Sequence, residues 1–126
     1  MKLSTVAIDI DEVNRCLSYD PERGILTWKE LPLRPGDDPR YIKTRNRIWA
    51  GRPAGKTRTC PSGHVYRSLT LWGKEMSCHR VCWAIMTGKQ PPDRIDHING
   101  DATDNRWLNL RSGAHGVNEK NQAQGS

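Results

Sequence analysis

The 126-residue sequence predicts an α+β fold: an N-terminal helix and a small antiparallel sheet, followed by a C-terminal unit of strand, long loop, strand and helix. Three observations lead there. Apolar residues recur at helical spacing at Val13 and Leu17, and again across Val81, Trp83, Ala84 and Ile85. Alternation marks residues 64–71, with a return run at 75–78. From residue 94 onward, two short apolar runs are separated by Asn, Asp, Gly and Thr, which are turn formers.

The elements follow in order. Residues 8–17 read as a short helix, with Asp9 or Asp11 as N-cap and acids in the first turn. Residues 19–24, Tyr-Asp-Pro-Glu-Arg-Gly, read as a turn, and 25–29 as a strand. A long connection rich in Pro and Arg, without clear periodicity, spans 30–54. The strands 64–71 and 75–78 flank a turn at Trp72-Gly73-Lys74. Ser77 is placed to cap a helix over 78–87 that Gly88 stops. Gln90-Pro91-Pro92 is a stiff spacer. Ile95 and Ile98 then bracket Asp96-His97 in a short strand, where neighbouring side chains point to opposite faces. A bend or strand end is therefore needed to bring that carboxylate and imidazole to one site. Leu108-Asn109-Leu110-Arg111 reads as the second strand, Ser112 as the cap of a last helix through 122, and 123–126 as a frayed tail.

Charge narrows the partners. Residues 1–38 hold five bases and eight acids, 39–74 nine bases and no acid, and 75–126 six of each. A stretch of that length without a carboxylate is the footprint of a polyanion-binding face. Its members are Arg40, Lys43, Arg45, Arg47, Arg52, Lys56, Arg58, Arg67 and Lys74, and Arg80 is a further candidate phosphate contact. Mean hydropathy is −0.79, and no apolar run is long enough for a membrane span. The N-terminus, with a five-residue apolar patch followed by acids, does not read as a secretion signal. A cytoplasmic setting is expected. Five Trp and three Tyr argue for a packed core. Two readings of the cysteines stay open: a zinc site from Cys60, His64, Cys78 and Cys82, or buried free thiols. No pattern sets an oligomeric state.

Residues 94–121, RIDHINGDATDNRWLNLRSGAHGVNEKN, carry the chemistry-bearing groups. The order Asp96-His97-Ile98-Asn99-Gly100-Asp101, Asp104-Asn105-Arg106, Asn109-Leu110-Arg111, Asn118 and Asn121 resembles the HNH nucleases, and among them phage and intron-encoded homing endonucleases. Upstream, Tyr19-Asp20-Pro21 with Gly24, Leu26-Thr27-Trp28, Gly73-Lys74, His79-Arg80 and Trp83 resemble the same family. The likeness covers most of 10–121 and is weakest over 30–55. It implies a ββα-metal module at 91–122 on a DNA-binding scaffold of residues 1–90.

The resemblance also implies roles. Asp96 would be a metal ligand, His97 the general base, and Asn109 the residue holding the imidazole in orientation. Asn118 would be the second ligand, with His115, three residues earlier, as the alternative. An imidazole of ordinary pKa, about 6.5, is mostly neutral at pH 7 and apt as a base. Oxygen ligands favour Mg²⁺ or Mn²⁺ over Zn²⁺. The implied substrate is double-stranded DNA, cut by metal-dependent phosphodiester hydrolysis. A DNA-binding module with a vestigial site and a zinc-stapled binding protein are the rival readings. Of the other polar residues, Asn105 reads as a loop brace, His79 as a structural hydrogen-bonder, Asp101 and Asp104 as turn formers, and His64 as an unexceptional strand start. Trp28, Trp49, Trp72 and Trp83 read as core rather than stacking platforms.

Overall fold

A computed structural model describes residues 7–113. The fold is α+β, and the described residues form three α-helices and three small antiparallel sheets. Helix α1 (Ile10–Cys16) starts at Asp9, whose carboxylate accepts the Glu12 N–H at 3.1 Å, and Asp11 and Glu12 favour the positive helix start. It runs directly into β1 (Leu17–Asp20), which pairs with β2 (Ile25–Trp28) from Leu17↔Trp28 to Asp20↔Ile25. The sequence reading ends the helix at Leu17 and places a turn from Tyr19. Leu17 satisfies both patterns, four residues beyond Val13 and first in a strand, and pairing with β2 decides the matter.

Helix α2 (Pro39–Trp49) occupies the segment read as an irregular connection. Asp38 caps it by accepting the Arg40 N–H at 2.9 Å, and Pro39 sits in the first turn, where its missing N–H costs nothing. Its apolar stripe is thin, because one of its two fully buried residues is Arg45. The exit of α2 is fastened to β2. The Trp28 N–H reaches the Arg52 carbonyl, and the Ala54 N–H the Leu26 carbonyl, at 2.9 and 2.7 Å.

A three-stranded sheet follows: β3 (Lys56–Thr59), β4 (Val65–Leu71) and β5 (Lys74–Ser77). All four residues of β3 are exposed, so it carries no alternation to read; pairing with β4 alone makes it a strand. The β4–β5 turn is Trp72-Gly73 with φ of 51° and 82°, the doubly positive geometry of a tight hairpin. Helix α3 (Cys78–Thr87) begins after Ser77, which makes no side-chain cap bond, and ends at Gly88, whose φ of 72° returns its N–H to Ala84. Last come β6 (Ile95–His97) and β7 (Leu110–Ser112), joined by a long loop ending in a 3₁₀ turn at Trp107–Asn109. That turn replaces the first half of the expected strand and leaves Leu108 89% exposed. Ser112 closes β7, and the final helix expected to follow it lies outside the described residues.

The buried cluster gathers Val13 and Cys16 of α1, Leu17 and Leu26 of the first hairpin, and Leu69 and Met76 of the second sheet. Val81, Cys82 and Ala84 of α3, with Ile95 and Leu110, complete it. Among the described residues, no helix is long and apolar enough to cross a membrane.

Gly24 couples the first hairpin to the β6–β7 loop. At φ 73°, a Cβ there would lie 2.4 Å from the Arg106 nitrogen and 2.6 Å from the Asn105 carbonyl carbon, both backbone atoms. Gly24→Ala therefore combines a left-handed conformation with a clash that no side chain can relieve. A loss of about 1–3 kcal/mol is expected in chemical denaturation. An unchanged midpoint would show that the loop yields freely.

Candidate active site

The β6–β7 ribbon sets out the two central side chains. Asp96 lies across from Arg111, and His97 across from Leu110. Their surroundings are disjoint, as regular alternation requires. The Asp96 carboxylate lies against Gly113, where a Cβ would come within 2.7–2.8 Å of its carboxyl atoms. Arg94 and Arg111 stand at 3.9 and 4.0 Å from its two oxygens, ion-pair contacts too long to be hydrogen bonds. His97 is the last residue of β6, and a turn follows at once, with the Gly100 N–H on the His97 carbonyl at 2.9 Å. The carboxylate and imidazole thus flank a strand end without sharing a partner.

The imidazole is held by Asn105, whose Oδ1 lies 2.8 Å from Nε2. With the amide oriented this way, Nε2 carries the hydrogen and the lone pair is left on Nδ1. Asn109, expected to orient the imidazole, does something else. Buried at the end of the 3₁₀ turn, it accepts the Asn99 N–H at 2.9 Å and donates to Asn99 Oδ1 at 3.0 Å and to the Asp104 carbonyl at 2.8 Å. It fastens the loop whose later part carries Asn105. The two asparagines exchange the roles the sequence reading gave them, because the turn at 107–109 points Asn109 into the loop.

The rest of the loop is similarly braced. Asp104 takes a two-pronged ion pair from Arg106 at 2.8 Å on each oxygen, which holds its pKa down to about 2. Asp101 accepts from the Thr103 N–H and hydroxyl at 2.9 and 2.6 Å, the turn-forming role expected. Tyr19 donates its hydroxyl to the Asn105 carbonyl, and the Trp107 N–H meets the Pro21 carbonyl at 2.9 Å.

Helix α3 closes the other side. The His79 ring centroid lies 5.1 Å from that of His97, at 56°. Burial, with the His97 and Arg80 charges adding to it, pushes the His79 pKa down to about 4. Arg80 is buried and donates to the Pro92 carbonyl at 2.7 Å, tying α3 to the segment that enters β6.

Residues 77–120, from the end of β5 through α3 and both strands of the ribbon, match the HNH endonuclease family. Over that segment the chain is similar to HNH endonucleases. No curated protein and no solved structure matches the chain. The HNH match contains His79, Asp96, His97, Asn105 and Asn109, and it also spans His115 and Asn118, which lie outside the described residues. HNH nucleases generally use a divalent metal ion. Asp96 fits one as a carboxylate oxygen donor, although among the described residues no three His, Cys, Asp or Glu side chains converge on a metal position.

That finding overturns the zinc reading of Cys60, His64, Cys78 and Cys82. All four cysteines are free thiols. Burial raises the Cys78 pKa to about 12 and lifts that of Cys82 well above the ordinary thiol value.

The basic candidates around the HNH segment divide into two groups. Arg40, Lys43, Arg47, Arg52, Lys56 and Lys74 are exposed. Arg45 is not available to a polyanion: it is buried, donates to the Lys29 carbonyl and to Asn46, and lies over the Trp28 ring at 5.7 Å. Arg80 is likewise spent inside the fold. Arg67 bonds the Gly55 carbonyl at 2.9 Å, and Arg58 is paired with Glu75 at 2.7 Å. Asn105 and His79 both stand against His97, a proximity the sequence reading does not anticipate. Their signal lies in a contact between α3 and the loop that spacing along the chain does not disclose.

The His79 shift fixes a pH dependence. Between pH 6.5 and about pH 4, the unfolded chain binds a proton at residue 79 that the folded chain excludes. The stability contributed by the neutral ring is complete above that window and is lost as pH falls through it. Tm measured across the window is expected to fall less steeply in His79→Gln than in the wild type. Identical slopes would show that the ring is not held neutral.

Proposed function

We propose that the protein is a metal-dependent HNH endonuclease hydrolysing phosphodiester bonds in double-stranded DNA. It is of the homing type, encoded by a phage or mobile element and acting in the cytoplasm of a bacterial host. The observation that carries this reading is the His97 imidazole fixed at Nε2 by Asn105 inside the HNH match, which leaves Nδ1 to accept a proton.

In this reading His97 takes the proton of the attacking water at Nδ1 while Nε2–H stays on Asn105. Asn109 acts through the loop, keeping Asn105 in reach. Asp96 is one cation ligand and Asn118 the second, with His115 as the alternative. Gly113 supports this pairing, because it brings the chain that leads to both residues directly beside the Asp96 carboxylate. An all-oxygen pair favours Mg²⁺ or Mn²⁺. Such an ion, when bound, stabilises the charge that develops on the phosphate and the leaving oxygen. Residues 91–122 form the hydrolytic part and 1–90 the DNA-binding scaffold. On α2, Arg40, Lys43 and Arg47 follow the i, i+3, i+7 spacing of one helix face and are all exposed, as phosphate contacts must be.

Two substitutions separate the chemistry. His97→Ala is expected to lower single-turnover cleavage by ~10²–10⁴ while binding DNA as well as the wild type, with no recovery at higher metal concentration. Asp96→Ala is expected to lose cleavage and regain part of it as metal is raised. Wild-type cutting by His97→Ala would leave a vestigial DNA-binding module as the better reading. In the same titration Asn118→Ala should behave as Asp96→Ala does. If His115→Ala does so instead, His115 is the second ligand.

The interface is tested by salt. Each phosphate contact contributes about −0.9 to the slope of log affinity against log salt. Replacing Arg40, Lys43 and Arg47 by Ala is expected to flatten that slope by roughly two to three. Arg45→Ala is expected to destabilise the fold instead. An unchanged slope in the triple variant would remove α2 from the interface.

A further inference from the structure

The side of α2 that faces the three-stranded sheet borders a cleft of about 380 Å³. Tyr41, Arg45 and Trp49, spaced by four residues, line one wall, and β3, β4 and the Trp72 turn line the other, with Trp28 between them. The aromatic rings come in two pairs. Trp28 and Trp49 meet edge to face at 6.4 Å, and Tyr41 and Trp72 lie 6.5 Å apart. Three of these rings are far from buried: Tyr41 is 53% exposed, Trp49 47% and Trp72 48%. The core role expected of Trp49 and Trp72 is therefore only half met. Exposed aromatic surface gathered in a concave patch marks a binding site.

The charge around it selects the ligand. The cleft lies in the stretch with nine bases and no acid, and Lys56 and Arg58 stand among its lining residues. Two carboxylates approach it from outside that stretch. Glu75 is taken up by Arg58 and Ser68, and Glu12 accepts the Trp72 indole N–H and pairs with Arg15. Lys56 is left free of both. A flat aromatic group attached to an anion satisfies rings and cations together, and a nucleotide is such a group. In a duplex the base faces are covered by their neighbours. Only an unpaired base offers its face to an aromatic ring.

We infer that the cleft between α2 and the β3–β4–β5 sheet is a stacking pocket for one unpaired base of a DNA strand, with Tyr41 and Trp49 as its platforms. It contains neither Asp96 nor His97, so it is a recognition site apart from the hydrolytic centre. The inference rests on the DNA-binding reading above. It adds that the preferred DNA is locally unpaired or is opened on binding.

The test uses the full chain in EDTA, so that nothing is cut. Three short duplexes of one sequence are compared: fully paired, with a single bulged 2-aminopurine, and with an abasic residue at the bulge. The bulged base is expected to bind roughly five- to 150-fold more tightly than either control, with its fluorescence quenched. Trp49→Leu and Tyr41→Leu should each abolish most of that preference while leaving affinity for the paired duplex within about twofold, and Trp49→Phe should keep part of it. Retained duplex binding shows that a variant is folded. Equal affinity for all three DNAs, or a preference that survives both Leu variants, would overturn the pocket and leave the DNA-binding reading standing. Failure to bind any of the three would overturn both.

Discussion

Everything around the candidate site depends on one hydrogen bond, that between His97 Nε2 and Asn105. It fixes which ring nitrogen carries the hydrogen and which keeps its lone pair. Asn105 sits in a loop, and loops move unless something stops them. Here the stops are numerous and come from distant parts of the chain. Asn109 and Arg106 brace it from within, Tyr19 holds its carbonyl, and Gly24 lets the first hairpin approach to van der Waals contact or closer. The N-terminal hairpin, which contributes no reactive group, is thus a clamp on a side chain some eighty residues away.

The arginines extend the same economy of means. A charge count treats them as one class, but the fold uses Arg45, Arg67 and Arg80 as internal connectors, each donating to a backbone carbonyl of another segment: Lys29, Gly55 and Pro92 respectively. Planar, many-pronged and apolar along the stem, a guanidinium joins segments that hydrophobic contact alone holds loosely. The exposed basic surface is accordingly smaller than composition implies, and much of it lies on α2 (Arg40, Lys43, Arg47) and at Arg52, Lys56 and Lys74.

Legibility in the sequence followed the strength of the local signal. Helix α3 has a stop glycine, an apolar stripe and a serine at its start, and it lies where expected. The β4–β5 hairpin and the Asp96-His97 strand were equally plain. Helix α2 was not, because its inward residues include an arginine and half-exposed aromatics, and the periodicity of PRYIKTRNRIW is hidden by charge. Strand β3 has no apolar face at all. For the site, order and spacing identified Asp96, His97 and Asn109 as residues of interest. The contact between Asn105 and His97 depends on how the loop folds back, and the approach of His79 on how α3 packs. Neither is a property of neighbouring residues.

The cysteines carry a practical consequence. Cys16, Cys78 and Cys82 are buried, and each thiol is held in its protonated, unreactive form. Cys60, in the connection between β3 and β4, is the one that is not fully enclosed. Among these four thiols a maleimide dye therefore has a single ready handle. A reporter attached there stands at the turn end of the β3–β4 hairpin, away from Ser68 to Trp72, so it marks the sheet without filling the aromatic cleft.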